Sequence, residues 1–217
     1  MKNSIFPKLV AEFLGTTFLL MAIVGSGLMA TKLTEDDALQ LLINALAAVL
    51  MLSVIIPIFN ASSGAHFNPV VTLLKRLNGS ITTPLTCLYV FVQILGAITG
   101  TVIANLMFGT SAFQLSSTNR ISAATFLGEV VATSGLLLLI LLGPNRSNFL
   151  VPAWIGSAYF FTSSTSFANP AVTIGRVFTN SYSGIAPGSL SGFIAAQVLS
   201  IPIVYFLYKL IFNEVKH

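Results

Sequence analysis

The sequence predicts an all-α membrane protein with six transmembrane helices and two re-entrant half-helices, built as an inverted repeat. Three observations predict it: a composition that water cannot accommodate, apolar runs long enough to cross a bilayer, and a motif that occurs twice. Of the 217 residues, 7% are charged and 55% are hydrophobic. A typical soluble domain carries about 25% charged residues. With a mean hydropathy of +0.90, such a chain would expose large apolar patches in water. Lipid must therefore be the solvent for most of its surface.

A transmembrane helix needs roughly 20 apolar residues. Long apolar runs occupy about 5–30, 38–60, 82–108, 121–143 and 187–212. A sixth, 149–161, is short. The uncharged hydroxyl segment Thr162 to Ser166 follows it. A helix can continue there if those hydroxyls face protein or a water-filled path. The first run follows Lys2 and Lys8 like a secretory leader, but it contains Glu12 and is long for a leader core, so it is read as a retained helix. Six spans leave no room for a soluble domain, and residues 1–217 are read as one.

The distribution of Lys and Arg sets the orientation. With the N-terminus inside, Lys2, Lys8, Lys75, Arg76, Arg146, Lys209 and Lys216 fall on the inner side, and Lys32, Arg120 and Arg176 on the outer. Both termini are expected in the cytoplasm. The net charge of +4 is scattered and makes no nucleic-acid footprint. Cys87, the single cysteine, sits in an apolar run and is read as a small buried residue. With two histidines, His66 and His217, and one cysteine, neither a His-rich metal site nor a nucleophile–base set is visible. No metal, no cofactor and no enzymatic activity are expected.

The sequence reads twice. Ser63-Gly64-Ala65-His66-Phe67-Asn68-Pro69-Val70-Val71-Thr72 is echoed by Ser166-Phe167-Ala168-Asn169-Pro170-Ala171-Val172-Thr173. Glu12-Phe13-Leu14-Gly15-Thr16 is echoed by Glu129-Val130-Val131-Ala132-Thr133, and Gln93 by Gln197. The halves, about 1–108 and 120–217, each hold three spans and one Asn-Pro segment. An odd number of spans inverts the second half in the membrane, and such repeats place a path near the midplane. Asn is a strong helix cap and Pro fits the first helical position. The stretches that follow, to about Asn78 and Thr179, are too short to span. They are expected to be half-helices entering from opposite faces, with Asn68 and Asn169 meeting at the centre.

These motifs resemble the aquaporin, or major intrinsic protein, family over essentially the whole chain. The resemblance implies a pore through each protomer, a homotetramer, and passage of small neutral solutes. The first motif departs from Asn-Pro-Ala by ending in Val70. The positive half-helix ends would repel cations. The Asn68 and Asn169 amides would donate to a passing oxygen. The carbonyls of Gly64, Ala65, His66, Ser166, Phe167 and Ala168 would accept along the path. Glu12 and Glu129, the only acids in the spans, would hold backbone N–H groups of the re-entrant loops. Gln93 and Gln197 would hydrogen-bond between helices. His66 would line the pore or brace its loop.

The resemblance further implies an outer constriction of four positions, which by counting from the motifs fall on Ala48, Ser157, Ser166 and Val172. The arginine usual after the second Asn-Pro-Ala is replaced by Val172. Four small side chains imply a wide, weakly polar filter. Arg176, one helical turn beyond, is read as tilted away from the motif, with a structural or lipid-facing role. The segment from Phe161 to Val172 also resembles a prokaryotic, arginine-lacking subgroup associated with arsenite and methylated arsenicals. The expected function is a passive channel for water, glycerol-like polyols and such arsenicals, in a prokaryotic inner membrane. A strict water channel and a proton-coupled transporter using Glu12 or Glu129 are the alternatives.

Overall fold

The computed structural model describes residues 4–213, so Lys2, Lys216 and His217 lie outside the described residues. The helices are α1 (Ile5–Leu33), α2 (Asp37–Ser63), α3 (Pro69–Leu77), α4 (Thr83–Met107), α5 (Ala123–Leu142), α6 (Ser147–Phe161), α7 (Pro170–Gly175) and α8 (Pro187–Asn213). Short 3-10 turns precede α6, at Pro144–Arg146, and follow α7, at Arg176–Phe178. Helices α1, α2, α4, α5 and α8 are each long and apolar enough to cross a membrane. Helix α6 has 15 residues, which rise about 22 Å against a hydrocarbon core of roughly 30 Å. It stops at Phe161 and does not continue through Thr162 to Ser166. The hydroxyls of that segment support a loop instead: Ser164 Oγ accepts from the Ser166 amide, and Ser163 Oγ donates to the Ala124 carbonyl.

The halves are inside-out relative to a soluble fold. Glu12, Gln93, Glu129 and Gln197 are fully enclosed. Leu46, Leu50, Val54 and Ile58 on α2 form an exposed apolar stripe. That arrangement is stable only where the outer medium is apolar. Cys87 corrects an expectation: it is exposed on α4. An apolar run in lipid has no water-facing side to betray which positions point inward.

Helix α1 packs on α4, α5 on α8, and α2 closes the bundle against α6. The α1–α4 contact depends on glycine. A Cβ at Gly96 would lie 2.5 Å from the Phe13 carbonyl oxygen, and one at Gly100 would lie 2.3 Å from that of Thr17. In lipid, where apolar burial gives helices no reason to associate, close backbone approach through small residues supplies the packing energy.

Gly100→Ala should therefore push the two backbones apart and destabilise the fold by about 1–3 kcal/mol, the range of overpacking. Gly188, with nothing within 4 Å of its Cβ position, is the control. Thermal unfolding of detergent-solubilised protein should show a lowered midpoint for Gly100→Ala and not for Gly188→Ala. Equal midpoints would remove the close-packing account of this seam.

Candidate functional site

Each half-helix begins where an extended loop turns sharply in the interior. Three residues before each motif asparagine take left-handed backbone angles at the same offsets. In the first half these are Gly64 (φ 88°), Ala65 (φ 50°) and Phe67 (φ 49°). In the second they are Thr165 (φ 59°), Ser166 (φ 52°) and Ala168 (φ 47°). Five of the six carry a side chain, and each such residue costs on the order of 1–3 kcal/mol. The surroundings must over-determine the shape.

Two buried carboxylates, Glu12 and Glu129, hold the loops in that shape. Glu12 accepts from the His66 amide at 2.9 Å, the Phe67 amide at 2.7 Å, Ser63 Oγ at 2.6 Å and Gln93 Nε2 at 2.8 Å. Glu129 accepts from the Phe167 amide at 2.8 Å, the Ala168 amide at 2.9 Å and Gln197 Nε2 at 2.6 Å. Each glutamine also donates to the half-helix threonine, Thr72 or Thr173, at 2.9 Å. Gln93 and Gln197 thus bond between helices, as expected.

The half-helices meet through a reciprocal pair of bonds. Asn68 Nδ2 donates to the Ala168 carbonyl, and Asn169 Nδ2 to the Phe67 carbonyl, both at 2.8 Å. Asn68 Oδ1 accepts from the Val70 amide, and Asn169 Oδ1 from the Ala171 and Val172 amides. Pro69 and Pro170 occupy the first helical positions. Each asparagine amide has two N–H groups. One is held by the opposite loop, and one is left for the path.

A cavity of about 430 Å³ follows the axis past this junction. It is bordered near one end by Lys8, Lys75 and Ile81, in the middle by Asn68 and Asn169, and near the other by Val172 and Arg176. Gly64, Ala65, His66, Ser166, Phe167 and Ala168 all border it. The Ala168 carbonyl is engaged by Asn68. His66 both lines and braces: its Nδ1 is 3.1 Å from Thr72 Oγ1, and its ring meets Tyr89 edge-on at 5.3 Å. Glu12 and Glu129 are not among the bordering residues.

The expected constriction is partly reassigned. Ala48, Ser166 and Val172 border the cavity. Ser157 does not: it is exposed on the outer face of α6, with Oγ bonded to the Ala153 carbonyl at 2.9 Å. Ile155 and Tyr159 line the path instead. They are one turn apart, on the face opposite Ser157. Arg176 is also corrected. It is enclosed, borders the cavity, and its guanidinium lies 3.5 Å above the Phe167 ring. It is four residues after Val172 and so shares its helical face, and a helical Cβ leans toward the N-terminus. The side chain therefore points back toward the motif. The spacing from Asn169 to Arg176 equals that from Asn68 to Lys75; this was the sequence signal for a second path-lining cation.

A bundle of inverted halves with two half-helices joined end to end beside an axial cavity defines a membrane channel. The profile of the family described as Major intrinsic protein matches residues 1–166. The chain is 47% identical over 196 residues to the aquaglyceroporin AqpS of Rhizobium meliloti (strain 1021), covering 88% of this chain and 84% of that protein. It is 32% identical over 186 residues to aquaporin TIP1-2 of Musa acuminata, covering 76% and 72%. The X-ray structure of the aquaglyceroporin from Plasmodium falciparum matches with a TM-score of 0.74 at 24% identity, covering 98% and 99%. The chain belongs to the major intrinsic protein family, whose members are passive channels and not enzymes.

The Glu129 bonds make a clear expectation. Glu129→Gln replaces one acceptor oxygen by a donor that faces donors on every side. Leaving a buried N–H unpaired costs about 1–3 kcal/mol. The variant should show a lower thermal midpoint and reduced water flux in proteoliposomes. A variant with unchanged midpoint and flux would mean the loop shape does not depend on the carboxylate.

Proposed function

We propose that the channel conducts water and glycerol-like polyols through a filter wider than a strict water pore, and that neutral arsenite or methylated arsenicals are within its range. The observation that carries this reading is the triad of small side chains at the cavity wall, Ala48, Ser166 and Val172. The relative at 47% identity is named an aquaglyceroporin, which agrees with it. The positive half-helix ends favour neutral acceptor-bearing solutes over cations.

A narrower, water-selective pore is the second reading, and the position of Arg176 at the same end of the cavity favours it. A proton-coupled transporter is disfavoured: Glu12 and Glu129 are committed to loop N–H groups. The exposed apolar stripe on α2 suits either lipid or a neighbouring protomer of a homotetramer. We place the channel in a prokaryotic inner membrane with both termini in the cytoplasm, on the asymmetry of Lys and Arg.

Val172→Arg should introduce a second guanidinium one turn from Arg176. It would fill volume that larger solutes need while adding donors that suit water. Glycerol flux should fall several-fold more than water flux in stopped-flow vesicle swelling. A charge in the membrane region costs roughly 2.5–3.5 kcal/mol on insertion scales, so the folded fraction is measured first by size exclusion. A wild type that excludes glycerol, or a folded variant that loses both fluxes equally, would overturn the wide-filter reading.

A further inference from the structure

The end of the cavity away from Arg176 carries two cations that nothing balances. Lys8, in the first turn of α1, and Lys75, in the last turn of α3, are both half-buried and both border the path. Neither ammonium has a hydrogen-bond acceptor or a carboxylate among the described residues. The other basic residues of this face are placed differently. Arg76 donates from Nε to Thr83 Oγ1 at 2.8 Å, Lys209 lies over the Tyr205 ring at 4.6 Å, and Arg146 is exposed. None of these three borders the cavity, and no described acid borders it either. Glu35, Asp36 and Asp37 lie at the turn from α1 to α2, on the opposite face. The C-terminus of α3 offsets about half a charge beside Lys75. Helix α6 begins at the same rim, at Ser147, without a side-chain cap, and its N-terminal amides add positive potential in return. The Ser80 and Ser147 hydroxyls and the Asn60 amide also border this end and make no hydrogen bond to the described residues.

A lysine near a helix C-terminus, or on the inner face of a membrane, is ordinary when it points into water. Two that turn into one cleft are not. A cleft lined by one sign of charge, with low-dielectric walls, concentrates the opposite charge. The polar groups around these two ammoniums are mostly donors, so their complement is an anion with several acceptor oxygens. A phosphate group meets that description: its oxygens take two ammoniums and the neighbouring hydroxyls at once, through charge-assisted bonds. We propose that Lys8 and Lys75 form a binding site for an anion that carries a phosphate group, and that its occupancy throttles the flow of neutral solutes through the path. The same chemistry belongs to free inorganic phosphate and to an anionic lipid headgroup, and the test separates them. The proposal rests on the axial cavity being the path, and not on the width of the filter at the other end.

The test uses wild-type protein in zwitterionic phosphatidylcholine vesicles. Inorganic phosphate or chloride, at matched ionic strength and osmolarity, is present on both sides, so either direction of insertion is exposed. Water permeability in stopped flow should fall several-fold in phosphate and recover on return to chloride. Lys8→Gln and Lys75→Gln, each compared with its own flux in chloride, should raise the half-inhibiting phosphate concentration on the order of tenfold. Lys75→Arg should keep the inhibition, and so should Arg146→Gln, which removes a charge from the same face away from the cavity. Should the glutamine variants fail to fold, the wild type carries the test. In detergent, phosphate should shield Lys8 and Lys75, but not Lys209, from acetylation, as read by peptide mass spectrometry. Vesicles doped with anionic phosphatidylglycerol test the headgroup. A loss of flux there in chloride, relieved by Lys75→Gln and not deepened by phosphate, assigns the site to lipid. Wild-type flux that neither phosphate nor phosphatidylglycerol lowers would overturn the proposal, as would inhibition that both glutamine variants retain in full. A wild type that excludes glycerol defeats the wide-filter reading alone, because this test reads water.

Discussion

The re-entrant loops depend on an anion held where no water can reach. Their left-handed residues turn consecutive amides, His66 with Phe67 and Phe167 with Ala168, toward one point. In a soluble protein, water could satisfy such a cluster. In the membrane interior each unpaired group costs several kcal/mol. A carboxylate with two oxygens is the compact acceptor that fits two adjacent amides and still has lone pairs for a glutamine. The cost of burying a charge is offset by charge-assisted bonds to four donors at Glu12 and three at Glu129.

From those carboxylates the rest follows by short steps. Fixed loops place Asn68 and Asn169 where each caps its own half-helix and bonds the opposite loop. The reciprocal bonds to Ala168 and Phe67 couple the halves, so neither half-helix can withdraw without exposing the other's carbonyl. A cavity then runs beside the junction, bordered by Gly64, Ala65, His66, Ser166, Phe167 and Ala168 of the two loops, with the N-termini of both half-helices at its centre. Pore and fold are one construction.

Much of this was legible in the sequence because lipid imposes rules that water does not. Run length pointed to five spans and a short sixth helix, and paired Asn-Pro and paired acids pointed to two half-helices and their anchors. What was not legible has physical causes. In a helix apolar on both sides, nothing distinguishes the face toward lipid from the face toward protein. Cys87 was read as buried on that account and lies exposed; Ser157 was placed by ungapped counting back from Asn169, and the register of α6 turns it outward. Arg176 failed differently: it was read as tilted away from the motif, whereas a helical Cβ leans toward the N-terminus, and its spacing from Asn169, equal to that of Lys75 from Asn68, pointed to the path.

The inverted repeat fixes backbone and leaves chemistry free at each end. The residue two before each asparagine is His66 at one mouth, edge-on to Tyr89, and Phe167 at the other, edge-on to Phe193 at 5.0 Å. The residue seven after is Lys75 at one mouth and Arg176 at the other, and both border the cavity. Equivalent backbone positions thus carry a titratable ring with a half-buried ammonium on one side, and an apolar ring under an enclosed guanidinium on the other. The central lock touches none of these four side chains; it is made from asparagine amides and backbone carbonyls. A substitution at one mouth therefore changes the solute environment there while leaving the junction intact, and the two ends of the channel can differ in selectivity although the scaffold that holds them is the same structure read twice.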